Sequence, residues 1–156
     1  MEVGDIIVFK GQGLLFQCLS RLLKIFERGW DRWGWHTAFV SRIEDGIPVI
    51  CEALAQGVVE NYFDADRPHR VYKWFDQPVD PSCFVSQHIG EKYDIAIYFW
   101  TTVAVLVRHF WNRPIPKLLD RRFSCWEVLQ EFTAEMGKPI VSKYDVIILT
   151  DILKVL

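Results

Sequence analysis

Short stretches rich in apolar residues, several with alternating polar positions, recur through the first half of the chain. Stretches of this length that are bounded by Gly, Pro or acidic residues are typical of β-strands. The segment Glu44-Asp45-Gly46 is typical of a hairpin loop, so the strands on either side of it are expected to pair antiparallel. The predicted strands cover residues 4–9, 36–43, 47–54, 58–63 and 70–75.

Apolar residues spaced three and four positions apart predict helices toward both ends of the chain. Val128, Leu129 and Phe132 lie on one face of the clearest of these, and Gly137 is expected to end it. Antiparallel strands between helices predict an α+β fold, and 156 residues are the length of a single domain, 1–156. The predicted helices cover 14–28, 83–89, 95–111 and 125–136, and a last strand covers 144–149.

Composition and charge exclude several classes of function. The chain has 18 Lys and Arg against 20 Asp and Glu, a net charge of −2, which argues against a nucleic-acid partner. Its four cysteines are spread singly, without the paired spacing of a zinc ribbon or a redox dithiol, and no glycine-rich phosphate motif is present. We therefore expect no metal and no organic cofactor. Seven Trp, eleven Phe and five Tyr favour a cleft for an apolar ligand.

The N-terminal sequence carries Glu2 where a secretory signal has a basic residue, and it continues directly into a predicted strand. We therefore expect no signal peptide and a cytoplasmic location. The longest apolar run, Ile95 to Val107, spans about 20 Å as a helix, whereas the apolar core of a bilayer is about 30 Å thick. It predicts a buried or interface helix, with contact between 95–111 and a membrane or a protein partner as the alternative.

The strongest candidate for chemistry is Cys125 at the start of a predicted helix. Ser124 is a favoured N-cap residue, which places the thiol in the first helical turn. Unpaired backbone N–H groups and the positive end of the helix dipole there favour the thiolate and can hold an oxyanion. A buried structural cysteine is the competing interpretation.

His36 at the start of a predicted strand is the second candidate for chemistry, with Glu52 on the next strand as its possible partner. A three-residue loop with Gly46 in the left-handed conformation would place Ala38 opposite Glu52, and so Glu52 on the same sheet face as His36. A two-residue loop would shift the register by one residue and turn Glu52 to the opposite face. The sequence leaves both registers open, and a purely structural His36 remains the competing interpretation.

The remaining histidines and cysteines are weaker candidates. His69, His88 and His109 have no partner at metal-ligand spacing and are interpreted as surface or structural residues. Cys18 and Cys51 fall within apolar patterns and are expected in the core. Cys83 is expected to be an inert thiol in a loop flanked by prolines.

Five segments, in their order along the chain, resemble the circularly permuted papain-like hydrolases. This is the branch of the NlpC-like superfamily that includes YiiX-like bacterial proteins and lecithin–retinol acyltransferase. The matching segments span nearly the whole chain, and the set is more specific than any one of them. They are Gly4-Asp5-Ile6-Ile7, His36-Thr37-Ala38-Phe39-Val40, Cys51-Glu52-Ala53, Tyr93-Asp94 and Phe123-Ser124-Cys125-Trp126-Glu127-Val128-Leu129.

The resemblance implies a papain-like fold in which the helix that carries Cys125 packs on a small antiparallel sheet or barrel. It also implies that Cys125 is a nucleophile, His36 its general base and Glu52 the group that orients the base. Substrates of the superfamily include peptidoglycan peptide amides and lipid acyl groups. Trp126 departs from the small residue that the bacterial members often have there. Without a signal peptide, a cell-wall substrate would require a phage particle or release by lysis.

Three functions follow from these observations. The first is a cysteine hydrolase or acyltransferase that forms an acyl-enzyme on an amide, ester or thioester substrate. The second is a non-catalytic binding or assembly protein with the same fold, which contacts a membrane or a partner through 95–111. The third is a redox-sensing thiol at Cys125, which is disfavoured because no second cysteine lies close in the sequence.

Overall fold

The computed structural model describes residues 1–10, 33–92, 110 and 124–140. Five strands form one antiparallel sheet: β1 (Ile6–Lys10), β2 (Trp33–Glu44), β3 (Ile47–Leu54), β4 (Gly57–Tyr62) and β5 (His69–Tyr72). The described helices are α1 (Ser82–His88) and α2 (Cys125–Glu135). The strand order across the sheet is β4-β3-β2-β1-β5, and every pair is antiparallel. The predicted α+β class is therefore confirmed.

Several sequence predictions fall on residues outside the described set. They are the helix at 14–28, the strand at 144–149, Cys18, His109 and the apolar segment 95–111 apart from Phe110. Within the described ranges, no helix is long and apolar enough to cross a membrane.

The element boundaries differ from the predicted ones by one or two residues at most places and by three at β2 and β5. β2 begins at Trp33, so residues 33–35 belong to a strand and not to a loop before His36. β5 ends at Tyr72 instead of continuing to residue 75. α1 begins directly after its N-cap Pro81, so Cys83 lies in the helix predicted at 83–89 and not in the loop in which it was also expected.

The sheet carries a separate apolar core on each face. Phe39 of β2 stacks on Phe132 of α2, with ring centroids 3.7 Å apart and an angle of 9° between the rings. The face that includes Phe39 therefore packs against α2, as the apolar residues of that helix predicted. The other face has a smaller buried cluster, formed by Ile7, Phe9, Ala38, Val40 and Ile50.

The β2–β3 hairpin combines a short turn with a β-bulge. Asp45 and Gly46 form a two-residue turn in which both have positive φ, 50° and 81°, so the shorter of the two loops that the sequence left open is the one that forms. The register nevertheless shifts by one residue between Val40 and Arg42, because Ser41 is an extra residue on β2. The bulge compensates for the shorter turn, and Ala38 pairs with Glu52 as the longer loop had predicted.

Two glycines with positive φ differ in the space around them. A Cβ added to Gly46 would meet no atom within 4 Å, so alanine there costs only the left-handed backbone conformation. A Cβ added to Gly57 (φ +124°) would lie 2.5 Å from the carbonyl oxygen of Glu91, which also accepts a hydrogen bond from Val58 N–H. Steric overlap is therefore added to the backbone cost at Gly57.

We expect Gly46→Ala to lower the free energy of unfolding by about 1 kcal/mol and Gly57→Ala by roughly 2–4 kcal/mol. Urea denaturation of the two variants and the wild type measures this difference from the transition midpoints at unchanged slope. Equal losses for both variants would contradict the close approach of Gly57 to Glu91.

Candidate active site

The start of α2 is fixed by a capping box. Ser124 is the N-cap, and its hydroxyl accepts a hydrogen bond from the Glu127 N–H at 3.4 Å. In return, the Glu127 carboxylate accepts from the Ser124 N–H at 2.9 Å and from the Ser124 hydroxyl at 2.8 Å. Cys125 therefore occupies the first helical position, as its sequence context predicted.

Thr37 attaches this helix start to the sheet. Its buried hydroxyl donates a 2.8 Å hydrogen bond to the carbonyl oxygen of Cys125. Since Thr37 is adjacent to His36 in β2, the bond brings the first turn of α2 next to the imidazole. The β2–β3 ladder ends at the pair of Ala38 with Glu52, so His36 lies two residues beyond the last pair of this ladder.

The imidazole of His36 interacts with both of its predicted partners. Its Nε2 atom lies 2.6 Å from Oε2 of Glu52. The side chain of Cys125 lies near enough to the same ring to raise its pKa through hydrogen bonding and charge. Because Glu52 occupies Nε2, Nδ1 is the nitrogen available to the thiol. The three residues that the sequence singled out are thus brought together.

Opposing effects set the charge of His36. Burial lowers its pKa, but the interactions with Cys125 and Glu52 outweigh burial and raise the pKa from 6.5 to about 9. The side chain is 15% exposed, whereas Glu52 is 2% exposed. At neutral pH the ring is therefore an imidazolium that donates from Nε2 to the Glu52 carboxylate.

Glu52 remains ionised in spite of its burial. Burial raises the pKa of this carboxyl group, but the hydrogen bond and charge of His36 lower it further, with help from Asn61 and Arg67, so that the net shift is downward. Asn61 Nδ2 donates to Oε1 at 3.0 Å, and Arg67 Nη1 lies 3.6 Å from Oε2. The carboxylate is thus fixed at both oxygens.

The sequence analysis missed Asn61, Arg67 and Phe9. Asn61 could have been found from the strand pattern. It lies in β4 opposite Ile50, and because side chains alternate along a strand, it shares a sheet face with Glu52 and is its diagonal neighbour. Phe9 pairs with His36 across β1 and β2 and stacks on its ring, with centroids 5.7 Å apart. Residues 11–32 separate these strands, so no turn pattern indicated the pairing. Arg67 lies in an irregular segment without periodicity.

The other candidates lie in different surroundings. Cys51 is buried in the core as predicted, and burial, together with the carboxylates of Glu60 and Glu52, raises its pKa to about 12. Cys83 is exposed on α1. His69 and His88 are bonded to Arg67 O and to Glu91 respectively. In the part of the chain that the structure describes, no three His, Cys, Asp or Glu side chains are grouped as a metal site requires.

Comparison of the chain with models of protein families, with curated proteins and with solved structures found no match. The site is therefore interpreted from its own geometry.

We expect Glu52→Gln to lower the pKa of His36, because glutamine keeps a hydrogen-bond acceptor for Nε2 but loses the negative charge. An NMR titration of the His36 ring carbons measures this pKa directly. Glu44→Gln is the matched control, since it removes the same charge from an exposed residue at the hairpin. A pKa that responds equally to both substitutions would contradict a specific ion pair.

The same ion pair predicts a pH dependence of stability. Because the folded-state pKa of His36 lies above 6.5, the stabilisation from the charged ring is complete below pH 6.5 and is lost as the pH rises through 9. The full shift corresponds to about 3 kcal/mol at most. Between these pH values, we expect the wild type to lose more unfolding free energy than Glu52→Gln. Parallel stability curves from denaturation at each pH would contradict this account.

Proposed function

We propose that this protein is a cysteine-dependent hydrolase or acyltransferase of the permuted papain-like class. The observation that carries the proposal is the contact of one imidazole with two groups: the thiol at a helix start and a buried carboxylate. A nucleophile, a base and a group that orients the base form the arrangement on which thiol acyl-transfer chemistry depends. The α+β sheet with α2 packed on one face supports the resemblance to the papain-like architecture.

The proposed reaction begins with attack of the Cys125 sulfur on the carbonyl carbon of an amide, ester or thioester. Because His36 is already an imidazolium, the thiol proton has left the sulfur before the attack, and the Cys125 thiolate forms the carbon–sulfur bond while His36 keeps its proton. When the tetrahedral intermediate collapses, His36 returns the proton to the leaving amine, alcohol or thiol, whose bond to the carbonyl carbon breaks. The acyl group is left on Cys125 as a thioester. Water or another acceptor then attacks this thioester while His36 takes its proton.

The helix start supplies stabilisation for the oxyanion of each tetrahedral intermediate. Backbone N–H groups in the first turn of a helix have no acceptor within the helix, and the positive end of the helix dipole lies there. The N–H of Cys125 is at this position because Ser124 is the N-cap. A negative oxygen that develops next to the sulfur would therefore meet a donor that is already oriented.

The groups of the site differ in exposure. Cys125 is 1% exposed, and the His36 side chain is 15% exposed. Beside His36 and Glu52 lie the exposed Asn61 and the 38%-exposed side chain of Arg67. The aromatic content of the chain favours an apolar acyl group over a hydrophilic peptide.

The thiol of Cys125 is expected to react with iodoacetamide faster than that of Cys83, roughly tenfold or more, although Cys83 is exposed and Cys125 is buried. Only an activated nucleophile reverses the order that exposure sets. Quantitative peptide mass spectrometry over a time course gives both rates in one sample. Cys51, with its pKa near 12, is the slow reference. Slower reaction at Cys125 than at Cys83 would contradict the proposal.

Acyl transfer is tested with activated thioesters that carry short and long acyl chains. We expect a mass increase equal to the acyl group on the peptide that contains Cys125, with faster formation for the longer chains. Cys125→Ala should abolish the adduct and preserve the fold, whereas Cys83→Ser should leave it unchanged. The absence of any adduct at Cys125, with a folded protein, would favour the non-catalytic binding or assembly protein.

A further inference from the structure

Two cations share one oxygen of Glu52. His36 Nε2 lies 2.6 Å from Oε2, and Arg67 Nη1 lies 3.6 Å from the same atom. The first distance is that of a short hydrogen bond, whereas the second is longer than a hydrogen bond and leaves mainly a charge interaction. The guanidinium and the imidazolium therefore compete for the attraction of one carboxylate.

The position of Arg67 is set by its own segment and by Phe9. The Arg67 N–H donates to the carbonyl oxygen of Asp64 at 3.3 Å, which forms a turn between β4 and β5. The guanidinium carbon lies 3.9 Å from the centroid of the Phe9 ring, a cation–π distance, and the same ring stacks on His36. Phe9 thus holds the guanidinium close to the imidazole without a hydrogen bond between them.

We propose that Arg67 is a positioning residue that acts through Glu52: by sharing Oε2 with His36, it limits how tightly the imidazolium holds its proton. The inference rests on the proposed function, in which His36 has to release that proton to a leaving group and then act as a base. A base is most effective when its pKa lies near the working pH. Arg67 keeps His36 from being the only cation on a buried carboxylate, which would make it too weak an acid.

Charged groups from three elements face His36 in the described part of the chain. They are Cys125 from α2, Glu52 from β3 and Arg67 from the segment before β5. His69 of β5 lies near Phe9, the aromatic neighbour of His36, and the centroids of the His69 and Phe9 rings are 6.5 Å apart. Of these groups, Arg67 carries the positive charge that opposes protonation of His36. Its other contacts are with the ring of Phe9 and with the backbone carbonyl of Asp64.

Replacing Arg67 by Met is expected to raise the pKa of His36 by about one unit, because a positive charge a few ångström away is removed while Glu52 stays ionised beside the imidazolium. An NMR titration of the His36 ring in the full chain measures it, with His36→Asn used to assign the resonance. Arg67→Lys keeps the charge and should hold the pKa near the wild-type value.

Arg70→Met is the matched control. Arg70 carries the same charge three residues further along the chain. It pairs with Val8, so its side chain projects from the sheet face opposite to that of Phe9. The substitution should leave the His36 pKa unchanged. An unchanged or lowered pKa in a folded Arg67→Met protein, or an equal rise in Arg70→Met, would overturn the inference.

A second measurement separates this role from a purely structural one. The measurement is the rate at which an acyl group on Cys125 is hydrolysed, as a function of pH. Arg67→Met should shift this pH profile upward by as many pH units as it raises the pKa of His36, so that activity recovers at alkaline pH. A uniform loss at all pH values would overturn the positioning role. The NMR titration needs no turnover, so an unreactive Cys125 with a raised His36 pKa in Arg67→Met would refute the proposed function alone.

Discussion

The register of the β2–β3 ladder is the constraint on which the site depends. Side chains alternate between the faces of a sheet, so a shift of one residue would turn Glu52 away from His36. The two-residue turn at Asp45 and Gly46 would by itself impose that shift. The extra residue Ser41 cancels it, and its hydroxyl donates to the carboxylate of Glu60 and also lies 3.2 Å from the carbonyl oxygen of Val49. The bulge, five residues along β2 from His36, thus decides that Glu52 faces the base.

A second constraint is the cost of burying charge. A carboxylate that is 2% exposed loses most of its hydration and stays ionised only when cations and donors replace the water. Glu52 has an imidazolium, an amide donor and a guanidinium around its two oxygens. These groups come from β2, β4 and the segment before β5, so the sheet must be assembled before the charge is compensated. Folding and the electrostatics of the site are therefore coupled.

Local sequence patterns predicted most of what is local in this structure. Ser124 and the apolar face of 125–136 predicted α2 and its cap, and alternation predicted the strands on either side of Asp45-Gly46. The sequence left two registers open, and it tied the one that pairs Ala38 with Glu52 to a three-residue loop that does not form. A bulge leaves no composition signal at Ser41, so the turn length and the register could not be separated from sequence.

Contacts between distant segments were not predictable in the same way. Phe9 reaches His36 because β1 pairs with β2, and Arg67 reaches Glu52 through an irregular segment. Neither contact follows from a periodicity or from a turn of defined length. The proximity of Cys125 to His36 was expected only from the resemblance to the papain-like hydrolases. The hydrogen bond that holds the start of α2 beside His36 comes from Thr37, 88 positions before Cys125 in the chain, and no local pattern reports a contact over that separation.

The central claim is that His36 activates Cys125. The most direct measurement is the rate of Cys125 alkylation in His36→Asn relative to the wild type, with Cys83 in the same molecule as the internal reference. The account predicts that the rate at Cys125 collapses to that of Cys83 or below, while the rate at Cys83 is unchanged. An unaltered rate at Cys125 in a folded His36→Asn protein would contradict it.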